Sequence, residues 1–129
     1  MRHVSFAIML LVLVHSAVSA QVAEKLDRGL VVMRQADGSL YVGWRLLESD
    51  PADVAFHVYR LNGPGDAAQR LTTEPVREST NFVDAKPPQK HEPRYFVRAV
   101  TAAGEGPPSA VVAPPSTPPG ESYLAIPLQ

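Results

Sequence analysis

Few residues in this chain have the types that chemistry needs. Beyond the first twenty positions the histidines are His57 and His91. His57 sits between Phe56 and Val58 in an alternating run, so it reads as an exposed strand histidine. His91 lies in Lys90-His91-Glu92-Pro93, a polar loop. General-base chemistry beside a stabilising cation would need both partners, and no such constellation is visible. A calcium site needs six to eight oxygens, often from clustered acids. The acids here are scattered singly, with no Asp-x-Asp spacing. Ser79 and Ser109 lack a Gly-x-Ser-x-Gly setting. Gly104-Glu105-Gly106 lacks the third glycine of a dinucleotide loop and reads as part of a turn through Pro108. With no cysteine there is neither thiolate chemistry nor a disulfide framework. The expectation is no catalytic residue, no metal site and no cofactor in this chain.

Aromatic residues offer a second kind of chemistry, the stacking of rings on sugars. Trp44 shares its strand parity with Val42 and Leu46 and belongs to the core. Tyr41, Tyr59 and Phe96 fall on the parity opposite to the core of their strands. They could form an exposed carbohydrate platform or an interface with a neighbouring domain. The interface is the stronger expectation, because grouped exposed aromatics mark interfaces more often than free surfaces.

Short strands separated by turns must position these residues. Leu30 to Arg34 is followed by Asp37-Gly38, a hairpin signal. Leu40 to Leu47 alternates, with Leu40, Val42, Trp44 and Leu46 on one side. Asp50-Pro51 breaks the chain. Further strands are expected at Phe56 to Leu61, at Asn81 to Asp84, at Tyr95 to Val100 and at Ser109 to Ala113, with a weaker edge strand around Gln69 to Val76. The expected core adds Leu30, Val32, Phe56, Val58, Leu71, Phe82, Tyr95, Val97, Ala99 and Val112. About seven short strands with regular turn signals predict an all-β antiparallel sandwich.

The chain has 129 residues, 19% of them charged, and a net charge of −1. That length allows one domain. Mixed charges near neutrality point away from nucleic acid and anionic membrane surfaces. Met1-Arg2-His3 is a short basic start, Val4 to Val14 are apolar except for Ser5, and Ala17-Val18-Ser19-Ala20 supplies small residues. This is the layout of a secretory signal peptide over 1–20, too short an apolar run for a membrane span. A secreted location follows.

Two resemblances extend this picture. Thr80-Asn81-Phe82-Val83-Asp84 and Tyr95 through Gly106 resemble the matching strands and turn of a fibronectin type III domain, with Trp44 at the position of its core tryptophan. The corner tyrosine of that fold would fall at Pro93, so its hydrogen bond is expected to be missing. More narrowly, Glu24 through Val31, Val42 through Leu47, Asp50-Pro51 with Ala55 through Arg60, Ser79 through Asp84, and Tyr123 through Leu128 come in order. Together they resemble the N-terminal β-sheet domain of the rhamnogalacturonan lyases of polysaccharide lyase family 11. The resemblance implies a bacterial pectin-degrading system. It also implies a catalytic β-propeller partner in cis, which carries the catalytic residues and the calcium, and a pectic polysaccharide as ligand. On this basis residues 24–113 form a fibronectin type III-like sandwich. Residues 114–129 form a proline-rich linker and the first strand of a catalytic domain that this chain lacks.

Overall fold

A computed structural model describes residues 27–116. The expected signal peptide and the expected strand at Tyr123 to Leu128 lie outside those residues. Seven strands are present: β1 (Val31–Arg34), β2 (Leu40–Gly43), β3 (Ala55–Leu61), β4 (Gln69–Arg70), β5 (Asn81–Asp84), β6 (Arg94–Thr101) and β7 (Gly104–Pro108). One sheet has the order β1-β2-β5 and the other β4-β3-β6-β7. Every pairing between these strands is antiparallel. The all-β sandwich that the alternation predicts is what forms.

The β1–β2 hairpin follows from Asp37-Gly38. Gly38 supplies φ 86, and the Asp37 carboxylate accepts the Ser39 N–H at 2.9 Å. Local acceptance by Asp and the positive φ open to Gly are why this pair terminates strands. β2 ends at Gly43, shorter than the alternation suggests. The Trp44 N–H still donates to Thr80 O at 2.9 Å, but the Arg45 N–H turns to Arg28 O. The Asp50 carboxylate then accepts the Leu47 N–H at 2.8 Å. The chain has therefore left the sheet by Leu46. That side chain is 57% exposed and is not core, contrary to its parity.

The other end of the chain also departs from expectation. Gly104 to Pro108 is a strand, not a turn. The turn is tighter: Thr101 pairs with Gly104 across Ala102-Ala103, and Gly104 takes φ 103, which a β-carbon would strain. β7 lies at the sheet edge, where Pro107 and Pro108 need donate nothing to a further strand. Beyond it the Ser109 N–H donates to Val97 O at 2.9 Å and Val112 makes two 2.9 Å bonds with Tyr95, so among the described residues the expected last strand at Ser109 to Ala113 reduces to an isolated bridge at Val112.

Leu30, Val32, Leu40, Val42, Trp44, Val54, Phe56, Val58, Tyr95 and Val97 form the core. Leu71, Phe82, Ala99 and Val112 pack against it. The Trp44 and Phe56 rings lie 5.4 Å apart and tilted by 58°. The indole N–H of Trp44 is buried without an acceptor.

Candidate functional site

The sandwich has two outer faces of different character. On the four-stranded sheet, His57 and Tyr59 of β3 point away from the core, opposite Arg98 and Phe96 of β6. The Tyr59 and Phe96 rings stack 5.0 Å apart with 1° between their planes. The Arg98 guanidinium lies 5.8 Å from both rings and donates to Gly106 O at 3.0 Å. The Tyr59 hydroxyl donates to Glu105, 2.7 Å from both carboxylate oxygens. Burial and this carboxylate push the Tyr59 phenol above its ordinary range.

His57 is on this face but is not exposed. It is 7% exposed, with Nδ1 2.8 Å from Thr72 Oγ1 and Nε2 3.9 Å from Glu105. Parity shows only which way a side chain points. The Thr72 hydroxyl, which also accepts the Val58 N–H, covers this one. His91 is exposed, as its polar loop suggests.

On the three-stranded sheet, Val31 and Met33 of β1, Tyr41 and Gly43 of β2, and Asn81 and Val83 of β5 share the outer face. Met33, Tyr41 and Val83 stand in one row across the strands. A β-carbon at Gly43 would sit 2.9 Å from Tyr41 Cε1, so the glycine is what lets the Tyr41 ring lie over β2. None of these side chains is charged, and Val31, Met33 and Val83 are 49%, 52% and 45% exposed. The three aromatics singled out by parity therefore do not make one platform. Tyr41 is on one sheet and the Tyr59–Phe96 stack on the other, with Phe96 only 7% exposed.

Two polar clusters went unnoticed in the sequence. Arg60 faces inward with Phe56 and Val58, and its guanidinium donates to Asp84 Oδ2 at 2.6 Å. The Tyr95 hydroxyl donates to the same oxygen at 2.7 Å. Burial, then the Asp84 carboxylate, pushes the Tyr95 phenol far above its ordinary range. At the other cluster Arg28 makes a two-pronged ion pair with Asp50, and its guanidinium lies 5.0 Å from the centre of the Phe56 ring. Arg28 holds the Asp50 carboxyl below its usual value, against the opposing effect of burial. The first cluster has a signal in the sequence, a charge on an apolar parity at Arg60 and at Asp84, and the Arg28–Asp50 pair has none. Both acids are taken up by arginines and are not presented to a ligand. Among the described residues no three His, Asp or Glu side chains gather as they would around a metal ion.

The family described as "Rhamnogalacturonan I lyases beta-sheet domain" matches residues 21–114. The chain belongs to that family. As a rhamnogalacturonan I lyase β-sheet domain it is 37% identical over 120 residues to rhamnogalacturonan endolyase YesW of Bacillus subtilis (strain 168), covering 81% of this chain and 18% of that protein. It is 41% identical over 61 residues to rhamnogalacturonan exolyase YesX of the same strain, covering 47% of this chain and 9% of that one. The chain thus spans less than a fifth of the curated relatives that it matches. The crystal structure of YesW superposes on this β-sheet domain with a TM-score of 0.58 at 36% identity, covering 71% of this chain and 14% of that one. An Fn3-like protein from Clostridium thermocellum gives 0.56 at 22% identity, covering 67% of this chain and 86% of that one, a likeness of fold alone.

Proposed function

We propose that this domain is a non-catalytic β-sandwich module of a secreted rhamnogalacturonan lyase, which supports or docks to a catalytic β-propeller in the rest of the parent polypeptide. One observation carries the reading. The same domain is matched in a protein named as an endolyase and in one named as an exolyase, and is under a fifth of each. What it contributes is common to two modes of cleavage and so is not what sets the mode. The chemistry of the chain agrees. Elimination from a uronate needs a base near a cation that stabilises the enolate. Here His57 is held by Thr72, while Asp50 and Asp84 are neutralised by Arg28 and Arg60.

The alternative is a carbohydrate-binding module using Tyr41, Tyr59 and Phe96. Sugar stacking needs open ring faces on one surface. Tyr59 and Phe96 cover each other, and Tyr41 belongs to the opposite face of the sandwich.

The test is the purified chain incubated with rhamnogalacturonan, with and without calcium. Absorbance from the unsaturated product should stay at baseline. A calcium-dependent rise would overturn the proposal. Retention on immobilised rhamnogalacturonan, abolished by Tyr59→Ala, would favour the alternative.

A further inference from the structure

We propose that the outer face of the three-stranded sheet, centred on Met33, Tyr41 and Val83, is the surface on which the catalytic part of the parent lyase packs. This rests on the docking reading above and assigns it a place. Across β1, β2 and β5 this face carries Val31, Met33, Tyr41, Gly43, Asn81 and Val83, without a charge among them. The centres of protein interfaces are depleted in charged residues and enriched in Tyr and Met. The opposite face carries charged groups that are already engaged, Glu105 with the Tyr59 hydroxyl and Arg98 with Gly106 O and the Tyr59 and Phe96 rings. The packing of Tyr41 over Gly43 extends the flat apolar surface along β2.

The path of the chain favours the same face. Arg34, Leu40 and Asp84 form the row adjacent to Met33, Tyr41 and Val83. Asp84 bonds Tyr95, and Tyr95 pairs with Val112 just before Pro114-Pro115. The described chain therefore leaves the sandwich at the end where that apolar row lies. Proline-rich segments act as semi-rigid spacers, so a domain joined there stays nearby. The relatives show that most of such a polypeptide lies outside this domain. A tethered partner also faces the patch at an effective concentration on the order of millimolar, which outcompetes a second copy of the chain. The occupant is thus an apolar surface of the same polypeptide.

The test grafts residues 21–114 of this chain in place of the matched segment of full-length YesW, with and without Met33→Glu and Val83→Glu together. Both side chains are exposed, so the double variant of the ungrafted chain should melt where the wild-type chain does. In the graft, the wild-type domain should unfold together with the rest of the lyase. The double variant should unfold separately, at the midpoint of the free chain. If the variant stays coupled, the assignment of this face falls and docking stands. If even the wild-type graft melts as the free chain does, docking itself falls. Sedimentation of the free chain is the third arm. A dimer that the double variant abolishes would make this face a contact between copies and overturn the inference.

Discussion

The hydroxyl of Tyr95, on β6, donates to Asp84 Oδ2, on β5, and so joins the two sheets by a 2.7 Å hydrogen bond inside the sandwich. Arg60, also of the four-stranded sheet, reaches the same oxygen at 2.6 Å. Removing the phenol alone leaves Asp84 paired. Tyr95→Phe should therefore cost about 1.5–3 kcal/mol, the scale of a hydrogen bond to a charged group. Asp84→Ala takes the carboxylate from Tyr95 and Arg60 at once, leaving Arg60 only neutral acceptors, among them Asn62 and Gln69, and should cost more, up to about 3–5 kcal/mol. Urea titration of both variants checks the order. A smaller loss for Asp84→Ala than for Tyr95→Phe would show that Arg60 escapes to solvent.

The same phenol predicts alkaline behaviour. Its folded-state pKa lies above that of the unfolded chain, which is about 10. The unfolded state therefore releases the proton first, and the stability that Tyr95 confers is full below about pH 10 and falls as pH rises beyond it. The free energy of unfolding, followed from pH 8 to 11.5, should drop more steeply for the wild type than for Tyr95→Phe.

Asp50 predicts the opposite limb. Its carboxyl is held below its unfolded value of about 3.9 by Arg28 and the Leu47 N–H. That stability is present above about pH 4 and is lost as pH falls through the lower folded-state value. Asp50→Asn should cost about 1–3 kcal/mol at pH 7 and flatten the acid limb between pH 4 and 2. An unchanged acid limb would assign the loss to other carboxylates.

Trp44 carries a large buried surface and an unpaired N–H. Trp44→Ala should cost about 3–5 kcal/mol, as aromatic truncations in cores do. Trp44→Phe removes the orphan donor while keeping a ring beside Phe56, and should recover more than half of that loss. Thermal and urea midpoints of the pair decide whether volume or the unpaired donor dominates.

Alternation made the fold legible. Val42, Phe56, Val58, Tyr95 and Val97 are inward as their period requires, and Asp37-Gly38 makes its hairpin. What alternation cannot show is where a strand stops. Leu46 keeps the period, but the backbone bonds of Arg45 and Leu47 have already gone to Arg28 and Asp50. Nor does it show what covers an outward side chain, as Thr72 covers His57. The corner tyrosine of the fibronectin pattern has no counterpart, because its position is Pro93. Tyr95 instead closes that region through a side chain eleven residues earlier in sequence, a partner that only the meeting of the two sheets reveals. Tyr41 and Tyr59 share a parity but not a sheet, and sheet membership is a long-range property.

The bridge at Val112 bears on how the module transmits force. A pull applied beyond residue 116 enters through the two Val112–Tyr95 bonds, on a residue whose hydroxyl grips Asp84 in the other sheet. Tension at the exit thus loads both layers together instead of peeling β7 from its edge. Whatever is joined beyond residue 116 would find in that joint a mechanical clamp.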